Sequence, residues 1–233
     1  MNIHAWAASL NSPDGFYGWG TLNAVPYDLR PYATVLESVQ GMTTPSTMHL
    51  LNLAVRHMAP DEVYLEVGTW RGATLIGALL DTGAVGYAVD NDTMNDHDGD
   101  NRSSQDAWSE NVDKFDMIGK GFDATYIDGS VPAIWNDRTV ASYISTEGIG
   151  VYLFDGDKST EEAAYAGLEG VLPFLADQAL IFVDDANEIN IRFAVGRFER
   201  AYPHVLKILD IPTPGNCWPM FWNGIMALAF QRA

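Results

Sequence analysis

Five short segments combine acidic residues or glycines with the ends of apolar runs, and they hold the chain's candidate chemistry. They are Glu66 with Gly68-Thr69-Trp70-Arg71-Gly72; Asp90 with Asn91; Asp128-Gly129-Ser130; Asp155-Gly156-Asp157-Lys158; and Asp184-Asp185. Carboxylates accept hydrogen bonds from hydroxyls and backbone amides, and they hold hard cations. Glycines in a strand-to-helix turn let the backbone pass close to a ligand. A carboxylate at the end of the next strand is suited to accept from both ribose hydroxyls of an adenosine. The spacing Gly68-x-x-x-Gly72 differs from the Gly-x-Gly-x-x-Gly of dinucleotide folds. Asp155, Asp157, Asp184 and Asp185 would repel one another on one rim, and a cation among them removes that difficulty. Lys158, one of only four lysines, is the candidate general base. A base must be neutral, so it needs such a cation nearby to push its pKa down.

These residues require strands that deliver them to one edge. Residues 62–67, 85–90, 122–127, 150–155 and 179–184 read as strands, being short apolar runs that close on acids. Helical spacing falls between them, at about 73–81, 104–119, 131–145 and 159–175, with another helix at 187–201. Ser159 and Glu162 form a capping box ahead of the fourth of these. Two more strands, about 204–211 and 224–230, close the chain. Strand and helix in alternation predict right-handed crossovers and a parallel sheet covered on both faces. The fold class is α/β: a doubly wound, mostly parallel seven-stranded sheet. In such a sheet ligands sit beyond the carboxyl ends of the strands, where the acids are. Residues 1–40 read as an N-terminal cap, irregular to about residue 30 and then a short helix at 31–40. Residues 41–233 form the main domain. It opens on a helix with Thr44 as N-cap and Pro45 at its first position.

Composition narrows the partners. Thirteen Lys and Arg face 31 Asp and Glu, a formal charge of −18. That surface repels a phosphate backbone and an anionic membrane, which argues against nucleic acid or membrane as partner. No window approaches the ~18 apolar residues of a membrane span, and the first residues lack the pattern of a signal peptide. The single cysteine, Cys217, excludes an intrachain disulfide framework and fits a reducing cytoplasm.

Together the segments resemble class I S-adenosylmethionine (SAM)-dependent methyltransferases. YLEVGTWRGATLIGALL resembles their motif I, VGYAVDND their motif II and YIDGS the adenine-side turn. Within that class, GMTTPSTMHLLNLAVRHM, LFDGDKS and FVDDAN resemble small-molecule O-methyltransferases of the catechol and caffeoyl-coenzyme A type. DGDKSTEE is also similar to a group that usually carries DGDHSYE. The likeness covers roughly residues 41–200. It implies that Glu66, Gly68, Thr69, Trp70, Gly72, Asp90, Asn91, Asp128, Gly129, Ser130 and Asp155 hold SAM, with S-adenosylhomocysteine as product. In the cation-dependent members three groups bind a divalent metal, Mg²⁺, and they match Asp155, Asp184 and Asp185. The last is usually Asn there. Asp155 and Lys158 would be catalytic. The acceptor would be a small hydroxylated molecule, and the likeness is compatible with a homodimer.

Two other functions fit parts of the pattern: a SAM-fold protein that binds ligand without turnover, and a nicotinamide-dependent oxidoreductase. The acidic stretch 91–101 imitates a calcium loop. Counted from Asp96, however, its sixth residue is Asn101 rather than Gly and its twelfth is Ala107 rather than Glu. It reads as a solvated loop. Trp218, Phe221 and Trp222 read as packing residues that could also line a substrate mouth or a dimer contact.

Overall fold

The computed structural model describes residues 1–17, 25–26, 28–92, 102–116, 123–129, 133–136 and 148–232. Helix α1 (Ile3–Ser9) and a two-residue pair, β1 (Phe16–Tyr17) and β2 (Val25–Pro26), precede helices α2 (Arg30–Ser38) and α3 (Pro45–Val55). Then follow β3 (Val63–Val67), α4 (Ala73–Leu79), β4 (Val85–Asp90), α5 (Ser104–Asp116), β5 (Asp123–Asp128) and α6 (Ala133–Asn136). The chain ends with β6 (Ile149–Phe154), α7 (Glu161–Val171), β7 (Leu175–Asp184), α8 (Ile189–Ala201), β8 (Val205–Ile211) and β9 (Ile225–Gln231).

Among the described residues, seven strands form the main sheet in the order β5-β4-β3-β6-β7-β9-β8. All neighbours are parallel except those of β9, which runs antiparallel to both β7 and β8. The chain builds outward from β3 to β5, then crosses back and builds outward from β6. The strand order therefore reverses between β3 and β6, where a ligand crevice opens in a doubly wound sheet.

Each face of the sheet has its own core. Tyr64, Val151, Leu153, Leu180 and Phe182 pack on the side of α1, α3 and α4. Leu65, Tyr152, Phe154, Ile181 and Val183 pack on the side of α7 and α8. Alternate residues of one strand thus enter different cores, which is why the strands are apolar throughout. Helix α3 starts as its sequence predicts, with the Thr44 hydroxyl accepting from Thr47 N and Pro45 at the first position. Buried Asn52 donates to the carbonyls of Ala78 and Leu80, closing the C-terminus of α4.

Three expectations change. The first 30 residues are not wholly irregular. Asn2 caps α1, and buried Trp6 meets Phe182 edge-on at 5.7 Å. The helix after β6 is capped by Thr160, whose side chain accepts from Ala163 N. Ser159 instead gives its N–H to the Asp157 carboxylate at 2.9 Å, so the cap moves on by one. The long helix expected over 131–145 is described only as α6. The rest of that span, Ser130, residues 117–119 and most of the acidic loop lie outside the described residues. No helix among the described residues is long and apolar enough to cross a membrane.

Candidate functional site

Backbone hydrogen bonds between strand ends build the rim. Gly68 N donates to Val89 O at 2.8 Å, Gly129 N to Asp90 O at 2.9 Å, and Asp155 N to Val67 O at 2.9 Å. These fix the ends of β3, β4, β5 and β6 relative to one another. Above them lies a cavity of about 700 Å³. Its lining includes Gly68, Thr69, Trp70, Asp90, Asn91, Gly129, Asp155, Lys158, Asp184 and Asp185. These residues, all singled out in the sequence, therefore meet around one space.

The turn after β3 is held by its neighbours. Gly68 has φ of 89° and Gly72 has φ of 83°, both in the left-handed region that side chains resist. A Cβ on Gly72 would sit 2.8 Å from the Trp108 ring of α5. Gly72 thus packs the turn against α5 and does not face the cavity. Trp70 N donates to Asp90 Oδ2 at 2.8 Å, and Asp92 N donates to Asp90 Oδ1 at 2.9 Å. Asp90 therefore ties the β3 turn to the end of β4 while lining the cavity. Burial raises its pKa, and the amides of Trp70 and Asp92 pull it back. Its carboxylate lines the cavity, where it can accept from a ligand hydroxyl.

Glu66 and Asp128 differ from expectation. Glu66 is 1% exposed, lies beneath the cavity and accepts from Tyr64 Oη at 2.7 Å. Burial pushes its carboxyl up to about 8, with Asp155 adding to the rise. It supports the rim from below and does not line the cavity. Asp128 is exposed and also stays off the lining. A hydrogen-bonded Tyr64–Glu66 pair on one face of a strand was readable from its i, i+2 spacing.

Lys158 carries the largest departure. Its ammonium donates to Asp155 Oδ1 and to Asp185 Oδ2, forming an ion pair with each. Burial alone would lower the lysine's pKa, but Asp155, Asp185 and Asp184 outweigh it and hold it above its ordinary value. A lysine held charged cannot take a proton, so the general-base role does not fit this geometry. Desolvation raises the carboxyl pKa of Asp155, with Lys158 opposing. Asp184 rises further through burial and the nearby charge of Asp155. The metal expected at Asp155, Asp184 and Asp185 does not fit either. Two of the three give an oxygen to the ammonium, and among the described residues no three carboxyl, imidazole or thiol groups are placed to hold an ion.

Arg71, Gln40, Gly41, Met42 and Asn216, to which the sequence assigned no ligand role, also line the cavity. Arg71 is 6% exposed, donates to Gln40 Oε1 at 2.8 Å and lies over the Trp70 ring at 4.9 Å. Gln40, Gly41 and Met42 reach the cavity from the segment between α2 and α3. Asn216 and Trp222, the latter named in the sequence as a candidate for a substrate mouth, reach it from the aromatic loop between β8 and β9, while Phe221 is buried beside Phe16. Trp218 and Trp222 pair through their backbones, and Asn187 binds Thr213 to anchor the same loop. Cys217 is exposed and lies off the lining.

No protein-family model matches the chain, and no curated protein matches it in sequence. Solved structures match its fold. The O-methyltransferase NovP superposes with a TM-score of 0.53 at 15% identity, over 81% of this chain and 81% of that one. PH1948 from Pyrococcus horikoshii, provisionally classed as an RNA methyltransferase, gives 0.52 at 13% identity, over 87% and 94%. Thermoplasma acidophilum 1320 gives 0.51 at 11% identity, over 88% and 97%. At these identities the likeness is one of fold. The chain has the Rossmann-like sheet of the methyltransferase fold.

Proposed function

We propose that the chain is a SAM-dependent methyltransferase acting on a hydroxyl of a small molecule. The observation that carries this reading is the charge of the cavity at the sheet's reversal point. Among its described lining residues are five carboxylates, of Asp90, Asp155, Asp157, Asp184 and Asp185, against two cations, Arg71 and Lys158. A space of that sign attracts a sulfonium and repels the pyrophosphate of a dinucleotide. The Gly68–Gly72 spacing and Asp90 at the next strand end support the same choice.

SAM, when bound, would supply an electrophilic methyl to the acceptor oxygen, with S-adenosylhomocysteine as the leaving group and the hydroxyl proton passing to bulk water. The chain's part is to align the reactants and exclude water. Asp90 holds the ribose, the Gly68–Trp70 backbone passes beside the ligand, and the carboxylates favour the sulfonium. Trp222, Asn216 and Met42 line the same space and would meet the acceptor. The formal charge of −18 favours a small acceptor over RNA.

Thermal unfolding with excess S-adenosylhomocysteine tests the cofactor. At 100 times its dissociation constant the ligand adds about 2.7 kcal/mol of stability, which is roughly 5–10 °C in melting temperature for a domain of this size. A clean transition without a shift would sink the reading. Asp90→Ala should then weaken binding of the same ligand about 10–100-fold, the worth of hydrogen bonds to a charged group. Calorimetric titration reads this directly, and an unchanged dissociation constant would mean that Asp90 does not hold the ribose.

A second reading, ligand binding without turnover, is favoured by one observation: Lys158 is ion-paired and charged. Release of S-adenosylhomocysteine from SAM in the presence of a hydroxylated acceptor separates the two.

A further inference from the structure

Two carboxylates on neighbouring strand ends converge on one point, and an ammonium of the same chain occupies it. Asp155 follows β6, Asp185 follows β7, and Lys158 Nζ donates to both. The lysine side chain is only 16% exposed. Its backbone is fixed as well: Asn190 Nδ2, from α8, donates to the carbonyls of Lys158 at 3.2 Å and Ser159 at 3.0 Å. The lysine is therefore tethered at its backbone and at its tip. Asp184, 7% exposed, lines the same wall.

The resemblance noted in the sequence implies a divalent cation at this wall, and the geometry disagrees. We infer that the Lys158 ammonium takes the place of that cation, pairing with two carboxylates of this acidic wall so that it excludes divalent ions. The Asp at position 185, where the resembled group usually has Asn, fits this arrangement. It supplies the second anionic oxygen to the lysine, which a neutral amide would do more weakly. A divalent ion could enter only by displacing two charge-assisted hydrogen bonds. The role is one of positioning: Lys158 holds Asp155 and Asp185 in place and sets the charge of the wall. It rests on the ion pairs and not on methyl transfer, so its test involves neither SAM nor turnover.

The test compares Mn²⁺ binding by the full chain and by Lys158→Met, which keeps an unbranched side chain one atom shorter and removes the charge. Loss of the free-ion electron paramagnetic resonance signal reports binding, at constant ionic strength. The Met variant should bind one Mn²⁺ at least tenfold more tightly than the unsubstituted chain, and Mn²⁺ should raise its melting temperature by more. Equal affinities overturn the inference, whether both proteins bind the ion or neither does. If Lys158→Met fails to fold, Lys158→Gln serves the same comparison. A null result here leaves S-adenosylhomocysteine binding to stand or fall separately.

Discussion

Gly68→Ala is expected to cost roughly 3–5 kcal/mol of stability and to abolish ligand binding. Two independent demands meet at this residue. Its φ of 89° lies where a Cβ is resisted, a penalty of about 1–2 kcal/mol. A Cβ there would also lie 2.2 Å from the carbonyl oxygen of Asp155 and 2.6 Å from its carbon. That neighbour is backbone, so no side chain can rotate away, and the ends of β3 and β6 must separate. The separation breaks the Asp155 N to Val67 O bond at the point where the cavity opens. Backbone strain and overpacking are each worth about 1–3 kcal/mol. Urea unfolding at neutral pH measures the loss. Gly215→Ala is the control: a Cβ there meets nothing within 4 Å, and an exposed substitution of this kind stays within about ±0.5 kcal/mol. A Gly68 variant as stable as the Gly215 one would mean that the turn is not built as described.

Gly68 also shows what the sequence could disclose. Its glycine identity, the acid two residues before it and the apolar run behind it were all visible. So was the succession of strands along the chain, because a sheet buried on both faces leaves continuous apolar runs that stop at the rim. The run 85–90 and strand β4 have the same bounds. Signals failed where the determinant was short or distant. Helix α1 has seven residues and one buried side chain, Trp6, too little for a period to emerge. Ser159 and Thr160 can both cap, and the choice fell to Thr160 because Asp157 took the Ser159 amide.

The partner of Lys158 was half legible. Asp155 stands three residues away, but Asp185 is 27 residues on and reaches the lysine only through the pairing of β6 with β7. With both carboxylates in place the lysine becomes a fixed charge, where the sequence suggested a base. Gln40 carried no pattern at all, and Arg71 was visible only as part of the turn after β3. They meet because α2 delivers its C-terminal neighbour to the β3 turn. The sheet therefore followed from local periodicity, whereas the roles of individual rim residues depended on which strand ends become neighbours.

Stability should fall as pH rises through the window set by Glu66, and Glu66→Gln should remove that residue's share of the fall. In the unfolded chain the carboxyl ionises near its ordinary 4.5; in the folded one burial beneath the cavity moves it to about 8. Below 4.5 the group is protonated in both states and contributes no difference. Between 4.5 and about 8 the unfolded chain releases the proton and the folded chain retains it, so each pH unit costs the native state about 1.4 kcal/mol. Above 8 both states are ionised and the cost levels off, at on the order of 3–5 kcal/mol. Gln keeps an oxygen to accept from Tyr64 and has no proton to lose. Urea midpoints should thus nearly coincide for the two proteins at about pH 5 and separate in favour of the Gln variant at about pH 8.5. A Gln variant that is weaker by one fixed amount at both pH values would mean that Glu66 does not titrate in this range. In that case the Tyr64–Glu66 bond would matter only as packing beneath the rim.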